Sequence, residues 1–358
     1  MHKSDVDVLV DPVSKTELRL SETIEQNGEI LEGILTGGDG RSYAVRNGIP
    51  RLVAPMADAG QRQTQRSFGY KWQRQSSYSS PQFKAGIEEW VVQRYGFKTP
   101  EEMRQYFRGR QRILDAGCGG GLCTSLWMEP GWRGGTSAEY YALDFSDAID
   151  VAKERIGGNE GTHFVQGDVM RLPFRAASFD TVFSEGVLHH TPSTRDALAS
   201  VVDVLAPGGE ALFYVYRRKA PIREFTDDWV RSQISPLDPE AAWAALRPLT
   251  ALGEALANMH AEIDVPLDIP YLGIKAGRYD IQRFVYGHIA KVFWNEQWSP
   301  DENNHVNFDW YHPKFAYRQT EEDVRGWCGD LGLVISHFDN QESGFTVRAI
   351  QRGDGREV

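Results

Sequence analysis

The sequence predicts an α/β fold: a doubly wound, mostly parallel sheet of seven strands, preceded by a small β-rich module and interrupted by a helical, aromatic-rich insertion. Three observations carry this. Strand-like apolar runs alternate with helix-like segments from residue 111 to 216, the pattern of a parallel sheet covered on both faces. The apolar run ILDAGCGGGL breaks into glycines just where a helix should begin. A helix and two strands at 320–352 then close the chain after a long stretch of different texture.

Taken in order, residues 1–57 hold short alternating runs, ELRLSE and GEILEGILTG, followed by DGRSYAVRNGIPRLV, which read as a small β module. Residues 58–108 begin as a polar linker rich in Gln, Arg and Ser with FGYKW set inside it. They turn helical near 81–107, where Ile87, Trp90, Val91, Tyr95, Met103 and Phe107 recur at helical spacing. Phe68, Tyr70 and Trp72 in that linker serve either its packing or a flap over a ligand. The core, 109–218, supplies the strands RILDAGC, EYYALDFS, THFVQGDV, FDTVFSEGV and GEALFYVY. Between them lie the helices SDAIDVAKERIG, with Ser146 as its cap, and TRDALASVVDVLAPGG, with Gly208 past its end. Residues 219–317 break the alternation: they are rich in Trp, Tyr, His and Pro and too apolar to be disordered, which suits an insertion over the carboxyl edge of the sheet. The core resumes over 318–353 with TEEDVRGWCGDLGL, capped by Thr320 with Asp323, and the strands VISHFDNQ and GFTVRAIQR.

Composition narrows the function. The chain has 358 residues and is 41% hydrophobic and 25% charged, enough for a substantial core. A net charge of -11 is a poor match for a phosphate backbone, so no nucleic-acid partner is expected. Cys118, Cys123 and Cys328 form neither a disulfide framework nor a four-ligand zinc set, so no metal is expected and a reduced, cytoplasmic setting fits. No window approaches the roughly 18 apolar residues of a membrane span. Oligomeric state, monomer or homodimer, is left open.

The glycine turn decides the ligand class. A strand entering a helix N-terminus offers backbone N–H groups, and Gly117, Gly119 and Gly121 let the backbone come close. Leu122 stands where a dinucleotide turn needs its last glycine. Asp115 would repel a pyrophosphate but suits an ammonium group. Asp144, ending the second strand, can accept both hydroxyls of a ribose. Asp168, ending the third, can meet the exocyclic amine of adenine beside the next backbone N–H. Ammonium, ribose and adenine together describe S-adenosylmethionine (SAM).

With DAGCGGG, Asp144, GDVMRLPF, SFDTVFSEGVLHHT and LAPGGEAL collinear, residues 111–216 resemble the class I SAM-dependent methyltransferases of the type 11, ubiquinone-methyltransferase-like group. The resemblance implies a Rossmann-like sheet and places Gly117, Cys118, Gly119, Gly121, Phe145, Val169 and Ser184 around SAM with the three acids. One departure is the longer connection MEPGWRGGTSA before the second strand. Residues 43–50, YAVRNGIP, resemble the tail of a Trm112-like zinc ribbon, whose cysteine knuckle here reads Asp11, Pro12, Val13, Ser14; with no cysteine it cannot bind zinc in that way.

Transfer to a methyl acceptor needs alignment and exclusion of water, with a base optional. Glu185, His189 and His190 follow the fourth strand, where the resemblance places the methyl group. Either histidine could take a proton or simply bond locally, and Glu185 could orient substrate. Tyr216 and Arg217 leave the fifth strand where substrate should lie. Of Tyr271, Tyr279, Tyr286, His288, His305, Trp310, Tyr311 and His312 in the insertion, two or three should touch it; together with Tyr70, the candidates are Tyr279, Tyr286, Trp310 and Tyr311. The expected activity is methylation of an O, C or S atom of a small biosynthetic molecule. The alternatives are an RNA or protein substrate docked by the N-terminal module, or a SAM-binding scaffold without turnover.

Overall fold

The computed structural model describes residues 1–54, 58–128 and 131–353. The expected boundary after residue 57, and Glu129 and Pro130 of the long connection, lie outside these residues. In the N-terminal segment, β1 (Arg19–Gln26), β2 (Glu29–Thr36), β3 (Ser42–Arg46) and β4 (Ile49–Leu52) form an antiparallel meander. Three helices follow: α1 (Ala59–Gln73), α2 (Pro81–Arg94) and α3 (Pro100–Arg108). The centre then alternates β5 (Arg112–Ala116), α4 (Thr124–Trp127), β6 (Glu139–Asp144), α5 (Ala148–Ile156), β7 (Thr162–Gly167), β8 (Phe179–Glu185), α6 (Thr194–Val204) and β9 (Leu205–Tyr216). After it come α7 (Pro221–Ile234), α8 (Pro239–Asn258), a hairpin of β10 (Glu262–Val265) and β11 (Gly277–Asp280), α9 (Ile281–His288) and α10 (Pro300–Tyr311). The chain closes with α11 (Glu321–Asp330), β12 (Leu333–Asn340) and β13 (Gly344–Gln351).

The sheet order is β1-β2-β3-β4-β7-β6-β5-β8-β9-β13-β12. Five central strands run parallel and β13 enters antiparallel between β9 and β12. The expectation of a seven-stranded sheet beside a separate module is therefore corrected. β4 pairs in parallel with β7, Arg51 opposite Gln166 and Leu52 opposite Gly167, so the meander extends the sheet to eleven strands. The reason is the free edge of β7: an unpaired row of backbone groups beside an apolar strand is satisfied by whatever strand lies next to it. Arg51 clamps the junction through both Asp150 oxygens, at 2.7 and 2.8 Å. Leu35, Val45 and Leu52 then share one core with Leu114, Val182 and Val347. At the cysteine-free knuckle, buried Asp11 accepts from the backbone N–H of Val13 and Ser14, both at 2.8 Å, and from the Tyr43 hydroxyl at 3.0 Å. One carboxylate thus ties the turn to β3.

Three further expectations change. The polar linker is the helix α1, started by Asp58, whose carboxylate caps the Gln61 N–H at 2.7 Å. It shows no apolar stripe because its buried positions are Thr64, Ser67, Gly69 and Lys71, of which the three with side chains make polar contacts. The single helix over 81–107 is two, broken at Gly96, whose φ of +75° is left-handed, and restarted at Pro100 behind the Thr99 cap. Asp147 holds the N-cap position of α5 without a side-chain cap; the Ser146 hydroxyl one residue earlier accepts from the Ala148 N–H at 3.2 Å and donates to Asp144 at 2.7 Å. Thr320 and Asp323 do form a capping box on α11.

Candidate functional site

At the carboxyl ends of β5, β6, β7 and β8 lies a cavity of about 850 Å³, roofed by α1 and by the segment from α9 to α10. Open parallel sheets leave a crevice here because neighbouring crossovers diverge. One end of the cavity is built on strand termini. Gly117 lines it with φ +96°, and a Cβ there would come within 2.4 Å of Val187. Gly119, φ +54°, leaves its space to the Trp72 indole, 2.4 Å from where a Cβ would stand. Asp144 is 8% exposed and accepts from the Gly119 N–H at 2.9 Å and the Ser146 N–H at 2.8 Å. Asp168 accepts from the Met170 N–H at 2.9 Å and from the Gln61 side chain on α1 at 2.7 Å. Burial pushes both carboxyls above their usual range, against those hydrogen bonds. Phe145 and Val169 also line this end.

The other end is built from distant segments. His190 lines it, and its Nδ1–H donates to the Phe315 carbonyl at 2.6 Å. That bond fixes the tautomer, leaving Nε2 with its lone pair, buried and, among the described residues, without a hydrogen-bond partner. Burial lowers His190 to about 4, so the ring is neutral at pH 7. Beside it, Asp309 of α10 accepts from Lys71 at 2.5 Å and from the Tyr216 hydroxyl at 2.7 Å. Burial raises the Asp309 carboxyl, but Lys71 and the Tyr216 hydroxyl together hold the group well below the usual carboxylate range. Glu185 lines the floor between the ends. It accepts from Arg94 and, at 2.7 Å, from the Tyr95 hydroxyl. The Arg94 guanidinium is itself stacked between Trp90 and Tyr214, 3.3 and 4.1 Å from their ring centroids.

Of the candidates, Gly117, Asp144, Phe145, Asp168, Val169, Glu185, His190, Tyr216 and Tyr286 face this one cavity. The others do not line it. Asp115 is turned away: it is 2% exposed, accepts from Thr124 at 2.5 Å and Tyr140 at 3.0 Å, and is pushed up to about 7 by burial. An ammonium contact through that side chain is thus corrected to a buried brace under the turn. Cys118 and Ser184 are also buried, with Ser184 donating to the Ala116 carbonyl at 2.8 Å and so locking β8 to β5. Gly121 packs against Ala152 of α5. His189 is fully buried, its ring 3.7 Å from that of Tyr216, with no access to the cavity. Tyr70 turns away from the cavity into the core of Trp243 and Phe308. Arg217 pairs with Asn340 at 2.8 Å, and Tyr279 sits on the β10–β11 hairpin, its hydroxyl on the Lys275 carbonyl. Trp310 and Tyr311 both donate to buried Asp227, at 2.9 and 2.7 Å. Of the eight insertion residues only Tyr286 and His305 reach the cavity wall.

Sequence reasoning missed Lys71, Asp309, Lys291 and Gln61. Two of them left a signal, each a charge embedded in an aromatic run: Lys71 in FGYKW and Asp309 in NFDWYHP.

Residues 114–213 match the model of a protein family described as the methyltransferase domain. The chain carries a methyltransferase domain. SAM is the cofactor of this domain. Over 154 residues the chain is 31% identical to the malonyl-[acyl-carrier protein] O-methyltransferase of Serratia marcescens, covering 43% of this chain and 54% of that protein. Over 127 residues it is 34% identical to phthiotriol/phenolphthiotriol dimycocerosates methyltransferase 1 of Mycobacterium ulcerans, covering 36% and 45%. The chain thus spans about half the length of these curated relatives. Among solved structures, magnesium protoporphyrin IX methyltransferase of Synechocystis with bound SAH aligns over 82% of this chain and 99% of that one, with 13% identity and a TM-score of 0.41. Among the described residues no helix is long and apolar enough to cross a membrane, and no cluster of His, Cys, Asp and Glu could hold a metal ion.

Proposed function

We propose that the chain is a SAM-dependent methyltransferase that methylates a small, enclosed acceptor through a proton-bearing atom, a hydroxyl oxygen first among O, C and S. The observation that carries this is the continuity of one cavity from Asp144 and Asp168 to His190. The residues at the strand ends fit the cofactor. Gly117 leaves space that any side chain would fill, and the two carboxylates keep lone pairs beyond those their present donors use. Asp144 would hold the ribose hydroxyls and Asp168 with Val169 the adenine edge, while SAM supplies a methyl carbon already activated by sulfonium.

The rest is the work of this chain. His190 is the candidate base: Phe315 holds Nδ1 protonated, and Nε2, which is covered in the resting structure, takes the proton of the acceptor hydroxyl once the wall over it shifts on binding. Glu185, neutralised by Arg94 and Tyr95, shapes the floor and is assigned no proton. The α1 roof, with Phe68 and Trp72 facing inward, excludes water and small nucleophiles. An enclosed pocket suits a small acceptor better than an RNA or protein chain.

The test is transfer of labelled methyl from SAM into a cell extract partitioned into organic, small polar, RNA and protein fractions, with Asp144→Ala as control. Label in a small-molecule fraction that depends on Asp144 supports the reading. Label in RNA or protein overturns the acceptor assignment, and failure of the wild type to bind SAM by calorimetry overturns the reading altogether.

A further inference from the structure

The charges around the acceptor end can be matched almost one to one. Lys71 has Asp309, and Arg283 of α9 has Glu342 at 2.6 Å. Arg94 has Glu185, and Arg223, deeper in the insertion, has Asp227 at 2.7 Å. Two lysines beside Trp310 have no carboxylate: Lys219, whose ammonium donates to the Glu342 and Ser343 carbonyls, and Lys291, which has no acceptor of any kind among the described residues. Lys291, between α9 and α10, lines the cavity and is 6% exposed. Its backbone N–H is anchored to Asp227 at 3.1 Å and to the Tyr311 hydroxyl at 2.9 Å, so its position is fixed. Its ammonium lies 4.6 Å from the Trp310 ring centroid and, among the described residues, has no ion-pair or hydrogen-bond acceptor. The nearby carboxylates are committed: both Asp309 oxygens are taken by Lys71 and Tyr216, and Asp227 is taken by Arg223, Trp310 and Tyr311.

A buried ammonium with three unused N–H donors is unfavourable unless something completes it, and a cation–π contact offsets only part of that cost. Burial accordingly drives Lys291 down to about 7. The group that completes it has to come from the cavity. Resting on the methyltransferase reading above, we infer that the acceptor is an aromatic carboxylic acid whose carboxylate pairs with Lys291 while its nucleophilic atom faces His190. The walls between the two are flat and aromatic, Tyr214, Tyr216, Tyr286 and Phe293, which suits a planar ring. Lys219 is already held by two backbone carbonyls, so the group left to complete is the Lys291 ammonium, and one carboxylate completes it.

The experiment compares isosteric pairs that differ only in charge: hydroxynaphthoate, hydroxycinnamate and salicylate, each against its own primary amide, titrated calorimetrically into the full chain with and without SAM. A charge-assisted pair in a dry pocket predicts at least one acid binding about tenfold tighter than its amide. That preference should vanish in Lys291→Met, persist in Lys291→Arg, and leave SAM affinity unchanged in both. The inference is overturned if no acid outbinds its amide in the wild type, whether both bind or neither does, or if the preference survives in Lys291→Met. The wild-type comparison stands without any variant. Lys291→Gln replaces the methionine variant if melting curves show that one misfolded. A wild type that discriminates acid from amide but does not bind SAM would sink the methyltransferase reading and keep this one.

Discussion

The two ends of the cavity are built on opposite plans. At the cofactor end the acids sit at the ends of strands and are held by backbone N–H groups of the turns that follow strands: Asp144 by Ser146 two residues on and by Gly119 of the neighbouring glycine turn, Asp168 by Met170. At the acceptor end the groups come from α1, α10 and the loops around 190, 291 and 315, and hold one another side chain to side chain or across long stretches of chain. The first plan fixes geometry by secondary structure and tolerates change elsewhere. The second fixes it only when the whole roof has folded, so it can be re-specified without disturbing the sheet.

The largest effect should follow from removing the carboxylate that the strand-end plan supports best. Asp144→Ala deletes two charge-assisted hydrogen bonds to ribose, each worth roughly 1.5–3 kcal/mol, so SAM affinity should fall about a thousandfold. Calorimetry checks this, with melting curves to show the fold intact. A loss under tenfold would mean that the strand ends do not hold the ribose.

Asp115 tests the layer beneath the same end. Burial raises its folded pKa to about 7 from 3.8, so the native protein holds a proton that the unfolded chain has lost. The stability this contributes is complete below pH 4 and is lost as pH rises through 7. At about 1.4 kcal/mol per pH unit, it is on the order of 4 kcal/mol. Asp115→Asn, neutral at every pH, should therefore be more stable than the wild type at pH 8 and lose that advantage at pH 4, measured by urea unfolding. Parallel pH curves for the two proteins would show Asp115 to be hydrated.

The contrast in plan also explains what was legible in the sequence. Strands β5 to β9, the glycine turn and the three acids stand at near-fixed spacings because a parallel sheet repeats its strand ends regularly. The direction of Asp115 was not legible, since it depends on Thr124 and Tyr140 reaching it from two other elements. Nor was α1, whose buried face is Thr64, Ser67, Gly69 and Lys71 and therefore reads as polar linker. Lys291 gave no signal at all: its meaning lies in the carboxylates around it being already taken, which only coordinates reveal.

His190 tests the acceptor end. His190→Gln keeps a donor for the Phe315 carbonyl but removes the proton acceptor, and kcat should fall about a hundredfold with SAM affinity unchanged. In the wild type the acid limb of kcat/KM should lie near pH 4 rather than at the ordinary histidine value, because burial keeps the ring neutral, while Asp309 pulls upward and Lys71 and Arg231 downward. An unchanged kcat in the variant would reduce this end to a shaped, dry container.

The smallest effect concerns two contacts that join the two plans. Gln61 reaches from the roof to donate to Asp168 at 2.7 Å, and Gln65 donates to the Phe145 carbonyl at the same distance. The first of these occupies the carboxylate oxygen that the adenine amine would use. If the amide and the adenine compete, Gln61→Ala frees an acceptor at the expense of one hydrogen bond of about 1 kcal/mol net, and SAM should bind a few-fold tighter and arrive faster. If instead α1 clamps the bound cofactor, the same variant should bind more weakly and release it sooner. Stopped-flow association and dissociation rates separate the two. Competition is the expected result, because Asp168 is more basic than an ordinary carboxylate and gains more from a donor on the cofactor than from the neutral Gln61 amide.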